Sequence, residues 1–340
     1  LCSSARPPHD GAMTRPTPLP PALGSAFSVS EATLLGVSPG RLRGRDLLHP
    51  FHGVRMHPPE IDPALHPLET SRIRELARLH ALARRLAPGQ FFSHLSAARL
   101  WGIPLPGRFE HPERASIHLS VHSPGRAPRV TGVRGHRIAP ERCPVVDLEG
   151  LPTAAPANTW AMLGGLGLSP SELVAAGDHL VRVSRGGHGR RDVGKPPLTT
   201  IEELHAAVEL GRWSGAPALA QALALVREDS WSPQESLIRV GLVRAGLPEP
   251  ELNVDVFDGL GRFLGCVDLA YRKYRVGIEY YGEVHSTRFA QDVERIASLR
   301  EADWEMVEVT RAVRGRPWVV AERVRRALEQ RGWRAEGSAA

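Results

Sequence analysis

The chain contains 340 residues, carries a formal net charge of +6 and has a pI of about 9.8. No run approaches about 18 consecutive apolar residues, so the sequence predicts no transmembrane helix and no membrane partner. Three scattered cysteines, Cys2, Cys143 and Cys266, form neither a disulfide framework nor a zinc pattern, which favours a cytoplasmic protein.

The basic charge favours an anionic partner, with nucleic acid the first candidate. Lysine occurs only at Lys195 and Lys273, so arginine supplies nearly all of the 43 basic side chains. A GC-rich genome also enriches arginine for reasons unrelated to binding. Composition alone leaves both explanations open, and DNA is the partner that we expect.

Composition and periodicity divide the chain into five parts and predict an α/β fold overall. Residues 1–26 are rich in proline and alanine and are predicted to be disordered, with Met13 as an alternative start. A helix-turn-helix at 27–60 precedes an α+β domain at 61–183. The Gly/Pro/Arg-rich segment 184–199 is predicted to be a linker. Residues 200–335 are predicted to form an α/β domain with a mixed sheet.

Residues 27–60 have the pattern of two short helices followed by a strand at 50–56. Ser30 is predicted to cap a helix at 31–35, and Ser38-Pro39 to begin a second helix. This spacing resembles the winged helix-turn-helix that opens abortive-infection-antitoxin-like proteins of actinobacteria. The resemblance implies major-groove contacts by three arginines of the second helix, namely Arg41, Arg43 and Arg45. A small packing module with solvated arginines is the alternative.

The middle segment, 61–183, resembles the middle domain of the same antitoxin-like proteins and contains no evident catalytic constellation. His94 follows Ser93 near the start of a predicted helix. No partner lies at metal-ligand spacing along the chain, so we assign His94 a capping or core role.

The segment Ser232-Pro233-Gln234-Glu235 begins a helix of the C-terminal domain. Glu235 stands at the third helical position, where its carboxylate is expected to accept the Ser232 backbone N–H in a capping box. A glutamate that completes a metal site from the helix is the alternative, and the sequence leaves both open.

Two strands that alternate with period two follow, joined by the polar turn Arg272–Arg275. Cys266, Asp268 and Ala270 are predicted to face away from Val267, Leu269 and Tyr271, and Glu279 to face away from Ile278. A turn centred on residues 272–275 places Asp268 across from Glu279, with Cβ atoms about 5 Å apart. Two carboxylates this close repel unless a cation lies between them. The pattern therefore predicts a divalent-metal site at Asp268 and Glu279.

This arrangement resembles the core of the PD-(D/E)XK nuclease superfamily, and more closely a Vsr-like, very short patch repair endonuclease-like domain. About 100 residues carry the resemblance, through Ser232, Pro233, Glu235, Arg239, Asp268, Glu279, Gly282, His285, Asp292, Arg295, Asp303 and Trp304. It implies a restriction-endonuclease-like fold, Mg²⁺ or Mn²⁺ as cofactor, and Glu235 as a further site residue. His285 or Arg295 would orient the phosphate. Asp292 is predicted to share a helix face with Arg295, before a strand at 304–309 parallel to that of Glu279.

The chain departs from this family at Tyr281, where the superfamily usually has lysine and the Vsr-like branch aspartate. A tyrosine hydroxyl is neutral at pH 7 and neither supplies a cation nor firmly holds a metal. The sequence thus predicts weak cleavage of DNA, unless Tyr281 packs as an ordinary strand aromatic and His285 or Asp292 supplies the third group. A non-catalytic DNA-binding regulator, with a cognate toxin or defence-system protein as partner, is the alternative function.

Overall fold

The computed structural model describes residues 16–109, 115–187, 193–282 and 289–335. Helices and mixed sheets make the chain an α/β protein, as the sequence predicted. The described residues form two compact units, one of residues 16–90, 115–117 and 129–134, the other of 91–109, 118–128 and the described part of 135–335. Within these ranges, no helix is both long and apolar enough to cross a membrane.

The first unit contains a two-stranded antiparallel sheet and two helices: β1 (Ala26–Ser28), α1 (Val29–Leu34), β2 (Val54–Met56) and α2 (Pro67–Ala83). Ser28 caps α1, whereas Ser30 was predicted to do so. The Ser28 hydroxyl accepts the Glu31 N–H at 3.1 Å, and the Glu31 carboxylate accepts the Ser28 N–H at 2.7 Å. The cap lies two residues earlier because Glu31 completes a capping box with Ser28.

The prediction of a second helix is wrong, because Arg41–Arg43 forms a single 3-10 turn. Leu42 is 3% exposed and packs in a cluster with Val37 and Leu47. The flanking Gly40 and Gly44 disfavour a longer helix by about 1 kcal/mol each. This turn buries a leucine and builds no recognition helix, and the strand predicted at 50–56 shortens to β2.

The predicted disordered segment 1–26 is described in part. Residues 1–15 lie outside the described part of the chain, but residues 16–26 belong to the first unit. Leu23 is 5% exposed and shares a cluster with Phe27. The Arg41 Nε donates to the Thr17 carbonyl at 2.5 Å. A proline-rich composition did not prevent packing, because Leu19 and Leu23 bury apolar side chains.

A five-stranded mixed sheet with strand order β5-β4-β3-β7-β6 has most of its residues in the second unit. Its strands are β3 (Gln90–Phe92), β4 (Ile117–His122), β5 (Val133–Ile138), β6 (Val145–Leu148) and β7 (Leu151–Ala154). The helices of this region are α3 (His94–Leu100), α4 (Pro156–Leu163) and α5 (Pro170–Val181).

One hydrophobic core continues across the segment that was predicted to be a linker. Helices α6 (Ile201–Glu209), α7 (Ala216–Leu223) and α8 (Pro233–Arg244) follow it. Trp160 and Leu173 from the preceding segment pack in one cluster with Leu204 and Leu219. The ends of 184–199 are bound as well, since Leu198 N–H donates to the Leu180 carbonyl at 2.9 Å. Residues 188–192 lie outside the described residues. The polar composition of this segment therefore does not mark a boundary between two cores.

The C-terminal region builds a four-stranded sheet of order β11-β10-β9-β8. Its elements are β8 (Glu251–Phe257), β9 (Phe263–Tyr271), β10 (Val276–Tyr281), α9 (Phe289–Glu301), β11 (Glu305–Thr310), α10 (Arg311–Arg314) and α11 (Pro317–Gln330). The β9–β10 pair is antiparallel and the β10–β11 pair is parallel, which confirms the predicted crossover.

The alternation of β9 is confirmed near the turn and fails at Val267. Leu269 and Tyr271 pack on the face covered by α8 and α11, whereas Ala270 packs on the face covered by α9. Val267 joins Ala270, although period two predicted the face of Leu269. Asn253 of β8, at the register position of Asp268, has a left-handed φ of 49°, while the pairs on either side keep one register and the register shift lies between Val256 and Phe257. This irregularity of the backbone therefore lies next to the candidate acidic residue.

Candidate functional site

Asp268 and Glu279 face each other across the β9–β10 hairpin. The paired residues Tyr271 with Val276, Ala270 with Gly277, and Leu269 with Ile278 make Asp268 and Glu279 the next position in register. The Asp268 Oδ2 accepts the backbone N–H of Tyr280 at 2.9 Å, which fixes the carboxylate against β10. Glu279 is 4% exposed. The predicted pair of carboxylates is present, and both are held by strand geometry.

Glu235 brings a third carboxylate from the first turn of α8. Its N–H donates to the Ser232 Oγ at 3.2 Å, as a capping position requires. Its carboxylate, however, accepts the N–H of Trp231 and the side-chain amide of Asn253, each at 2.9 Å. The predicted contact with the Ser232 N–H is thus replaced by one with the preceding residue. Glu235 is both a capping residue and a buried acid next to the irregularity of β8.

The three carboxylates influence one another electrostatically. Burial raises the pKa of Asp268 well above its usual value, and the charges of Glu279 and Glu235 raise it further. Burial also raises the pKa of Glu235, and the charge of Glu279 adds to this effect. Acids with raised pKa values that share a buried site are typical of functional clusters.

The positive charge next to Glu279 comes from Arg295 of α9. Its Nη1 and Nη2 donate to the two carboxylate oxygens of Glu279 at 2.8 and 3.2 Å, and Nη1 also donates to the Cys266 carbonyl at 3.0 Å. Gly265 permits this approach, because a Cβ there would lie only 3.0 Å from the arginine stem. The sequence assigned Arg295 to a phosphate, but the structure places it on the predicted metal ligand.

Tyr281 occupies the position two residues after Glu279, as predicted. It is half-buried and packs against the cluster that contains Val254, Val267 and Met306. This packing agrees with the ordinary aromatic role that the sequence left open. His285 lies outside the described residues. Asp292 belongs to α9, and its side chain is not among those described.

Two other predicted residues have structural partners. Arg41 forms a bidentate ion pair with Asp46, at 3.0 and 2.6 Å, whereas Arg43 and Arg45 are exposed. Arg239 is fully buried and pairs with Asp178 at 3.0 Å and with Glu249 at 2.7 Å. The resemblance placed Arg239 in a signature of the site, but its contacts tie α8 to α5.

The clearest cluster of possible metal ligands among the described residues lies outside the acidic site and was not predicted from the sequence. His94, His118 and His136 have one ligand nitrogen each within 4.8 Å of the others, and no other trio of His, Cys, Asp or Glu in the described ranges is as close. His94 was set aside because no partner lies at metal spacing along the chain. The sequence showed only that His118 and His136 lie on two predicted strands. It did not show that these strands pair, or which residues would then lie together.

Searches with protein-family models, among curated proteins and among solved structures find no match to this chain.

Proposed function

We propose that this protein acts on DNA and that residues 200–335 form a nuclease-type domain that holds Mg²⁺ or Mn²⁺ between Asp268 and Glu279. The observation that carries the proposal is the meeting of half-buried Asp268 with buried Glu279 and Glu235, where desolvation and then the like charges raise the pKa of Asp268. Oxygen ligands of this kind suit both ions. A cytoplasmic location belongs to the same proposal, since Cys143 and Cys266, the cysteines among the described residues, are not joined in a disulfide.

The residues present fit a cation only in part. Asp268 and Glu279 provide facing carboxylates, but Glu235 completes no three-ligand group within 4.8 Å in the part of the chain that the structure describes. Glu235 is instead held by Trp231 and Asn253. We therefore assign the metal to the facing pair and give Glu235 the role of adding negative charge next to it.

When bound, the divalent ion activates water and stabilises charge on the scissile phosphate. Asp268 and Glu279 hold it, and their own repulsion is relieved by it. Arg295 neutralises Glu279 in its absence, because the guanidinium contacts both oxygens. Tyr281 adds no cation or general base where the family carries one, so we expect slow cleavage.

A cleavage assay with supercoiled and linear DNA in Mg²⁺ or Mn²⁺ tests the proposal. We expect weak, metal-dependent nicking that Asp268→Asn and Glu279→Gln abolish. Glu305→Gln is the matched control, because it removes an exposed carboxylate from the neighbouring strand β11. Cleavage that persists in Asp268→Asn at the wild-type rate would overturn the site assignment.

The substitution Tyr281→Lys tests why cleavage is slow. A positioned acid–base group typically contributes about 10²–10⁴ in rate, so Tyr281→Lys is expected to accelerate nicking within that range. Tyr281→Asp restores the residue of the Vsr-like branch and serves as a second version of the test. Rapid cleavage by the natural protein that is lost in both variants would show that Tyr281 itself takes part.

A second candidate, a DNA-binding regulator without catalysis, is favoured by the Arg295–Glu279 pair. An internal cation already satisfies the carboxylate that a metal would need. In this case a cognate toxin or another defence-system protein would be the further partner. DNA binding without nicking, at any metal concentration, would favour the regulator over the nuclease.

A further inference from the structure

Three histidines from separate elements of the second unit meet at one point. His94 begins α3, His118 lies in β4 and His136 lies in β5. The His94 and His136 rings stack with centroids 3.8 Å apart, and the His118 ring lies 5.5 and 5.0 Å from them. Bringing three imidazoles together is unfavourable if they are protonated, because their positive charges repel. Neutral rings avoid that repulsion, and their nitrogens can then bind one shared cation.

The nitrogen spacing matches a metal site. His136 Nε2 lies 3.1 Å from His118 Nδ1, and all three ligand nitrogens lie within 4.8 Å of one another. Nitrogens bound to tetrahedral zinc at about 2.0–2.1 Å lie roughly 3.3 Å apart. The His118–His136 pair, whose contact is a hydrogen bond, is already near this separation, and binding requires the three nitrogens to move from within 4.8 Å of one another to about this distance.

Buried serines lie beside the cluster, and one of them, Ser93, bonds a ring of it. Ser93 Oγ lies 3.0 Å from His94 Nδ1 and accepts a hydrogen bond from Ser120 Oγ at 2.8 Å. Ser96 Oγ accepts the His118 backbone N–H at 2.9 Å. All three serines are fully buried. Metal-binding histidines typically bond their second ring nitrogen to such a partner, which fixes the ring orientation.

The backbone at His94 is a further, independent observation. His94 has a φ of 49°, in the left-handed region that non-glycine residues rarely adopt. Such conformations are concentrated at functional sites, where the surrounding structure compensates their cost. The conformation aims the first side chain of α3 at β4 and β5. His94 and His136 are only half-buried, which leaves a route from solvent to the cluster.

We propose that His94, His118 and His136 bind one transition-metal ion, with Zn²⁺ as the preferred ion. Three imidazole nitrogens suit zinc and its neighbours, whereas Mg²⁺ and Ca²⁺ prefer oxygen. Three protein ligands leave a fourth position for water or an exogenous ligand. This site is separate from Asp268 and Glu279, and it does not depend on the proposed nuclease function.

Untagged protein, treated with a chelator and then dialysed, is titrated with Zn²⁺ by calorimetry and with Co²⁺ by visible absorption. We expect one Zn²⁺ per chain and the absorption bands of tetrahedral Co²⁺, which Zn²⁺ then displaces. This measurement on the natural protein needs no substitution. Absence of zinc binding at micromolar concentrations, or octahedral Co²⁺ spectra alone, would overturn the proposal.

Substitutions then assign the ligands. His118→Gln and His136→Gln should each weaken zinc binding by more than the roughly 10–100-fold typical for loss of an outer partner. His205→Gln is the matched control, because His205 is exposed on α6. Unaltered zinc affinity in the double variant His118→Gln/His136→Gln would refute the assignment.

Discussion

The guanidinium of Arg295 contacts both carboxylate oxygens of Glu279, at 2.8 and 3.2 Å. The two side chains are largely buried, with 25% and 5% exposure. Bidentate pairs of this kind are among the stronger charge-assisted hydrogen bonds. A divalent ion at Asp268 and Glu279 must therefore compete with an arginine that the protein itself supplies.

Replacing this arginine should favour the metal. We expect Arg295→Gln to raise Mn²⁺ affinity by roughly 10-fold, since about 1.4 kcal/mol of competing interaction corresponds to that factor. Calorimetry with Mn²⁺ measures the change. Arg300→Gln is the control, because Arg300 lies on the same helix and pairs with Glu308 at the surface. Weaker Mn²⁺ binding in Arg295→Gln would mean that Arg295 supports the metal site.

Because the pKa of Asp268 is raised, we expect that removing its charge by substitution stabilises the folded protein, by an amount that depends on pH. The folded state holds this proton more tightly than the unfolded chain, whose aspartate has a pKa of about 3.8. Stability from this group is therefore fullest near and below pH 4 and decreases as pH rises toward the raised value. We expect Asp268→Asn to be more stable than the natural protein at pH 8, because the variant carries no charge at this desolvated position.

Urea unfolding at several pH values measures this gain, which should shrink toward pH 4. Asp258→Asn is a control of opposite sign. Backbone hydrogen bonds from Arg262 and Leu260 lower the pKa of Asp258, so its contribution is present above its usual pKa and is lost as pH falls. A gain for Asp268→Asn that is equal at pH 4 and pH 8 would contradict the electrostatic explanation.

The buried pair of Asp178 and Arg239 predicts a large loss of stability when one partner is removed. Both side chains are at most 1% exposed, and their contact is 3.0 Å. Burial raises the pKa of Asp178, and the charge of Arg239 opposes this shift. Asp178→Ala leaves a buried guanidinium with less charge compensation, at a cost of about 3–5 kcal/mol in urea unfolding.

A double variant separates charge from packing at the same position. Asp178→Leu/Arg239→Met removes both charges and should recover most of that loss, because apolar side chains of similar volume often replace a buried ion pair without penalty. Glu249 also contacts Arg239, at 2.7 Å, and is left in a half-exposed position. A single variant that unfolds at the wild-type urea concentration would contradict the predicted cost.

The three arginines that were predicted to contact DNA, Arg41, Arg43 and Arg45, should differ in their effects on DNA binding. Arg43 and Arg45 are exposed, so Arg43→Ala/Arg45→Ala should weaken duplex binding and reduce the salt slope by about 2. Arg41→Ala should act mainly on stability, because Arg41 is paired with Asp46. Fluorescence anisotropy with duplex DNA at several salt concentrations distinguishes them. An unchanged slope in the double variant would remove this turn from the DNA interface.

The sequence determined the local frame of the acidic site. Period-two alternation and a short polar turn fixed the register of β9 and β10, because a slip of one residue would expose Val276 and Ile278. The same reasoning predicted the parallel strand β11, since a helix between two strands requires a crossover. It also placed Glu235 in the first turn of α8, where Ser232 provides the cap.

Tertiary structure decided which partners these side chains have. Arg295 reaches Glu279, Asn253 reaches Glu235, and Arg239 reaches Asp178, which lies 61 residues away in the chain. Local periodicity carries no information about such contacts, because it reports only which face a residue occupies. It failed at Val267, which packs with Ala270 next to the position where Asn253 of the neighbouring strand has a left-handed φ.

The histidine cluster illustrates the same limit. His94, His118 and His136 are spread over three elements, and no fixed spacing along the chain relates them. Only the folded chain brings their nitrogens together, with Ser93 bonded to the His94 ring and Ser96 to the His118 backbone. A sequence determines which side chains are able to bind a metal, whereas the folded chain decides which of them share one point in space.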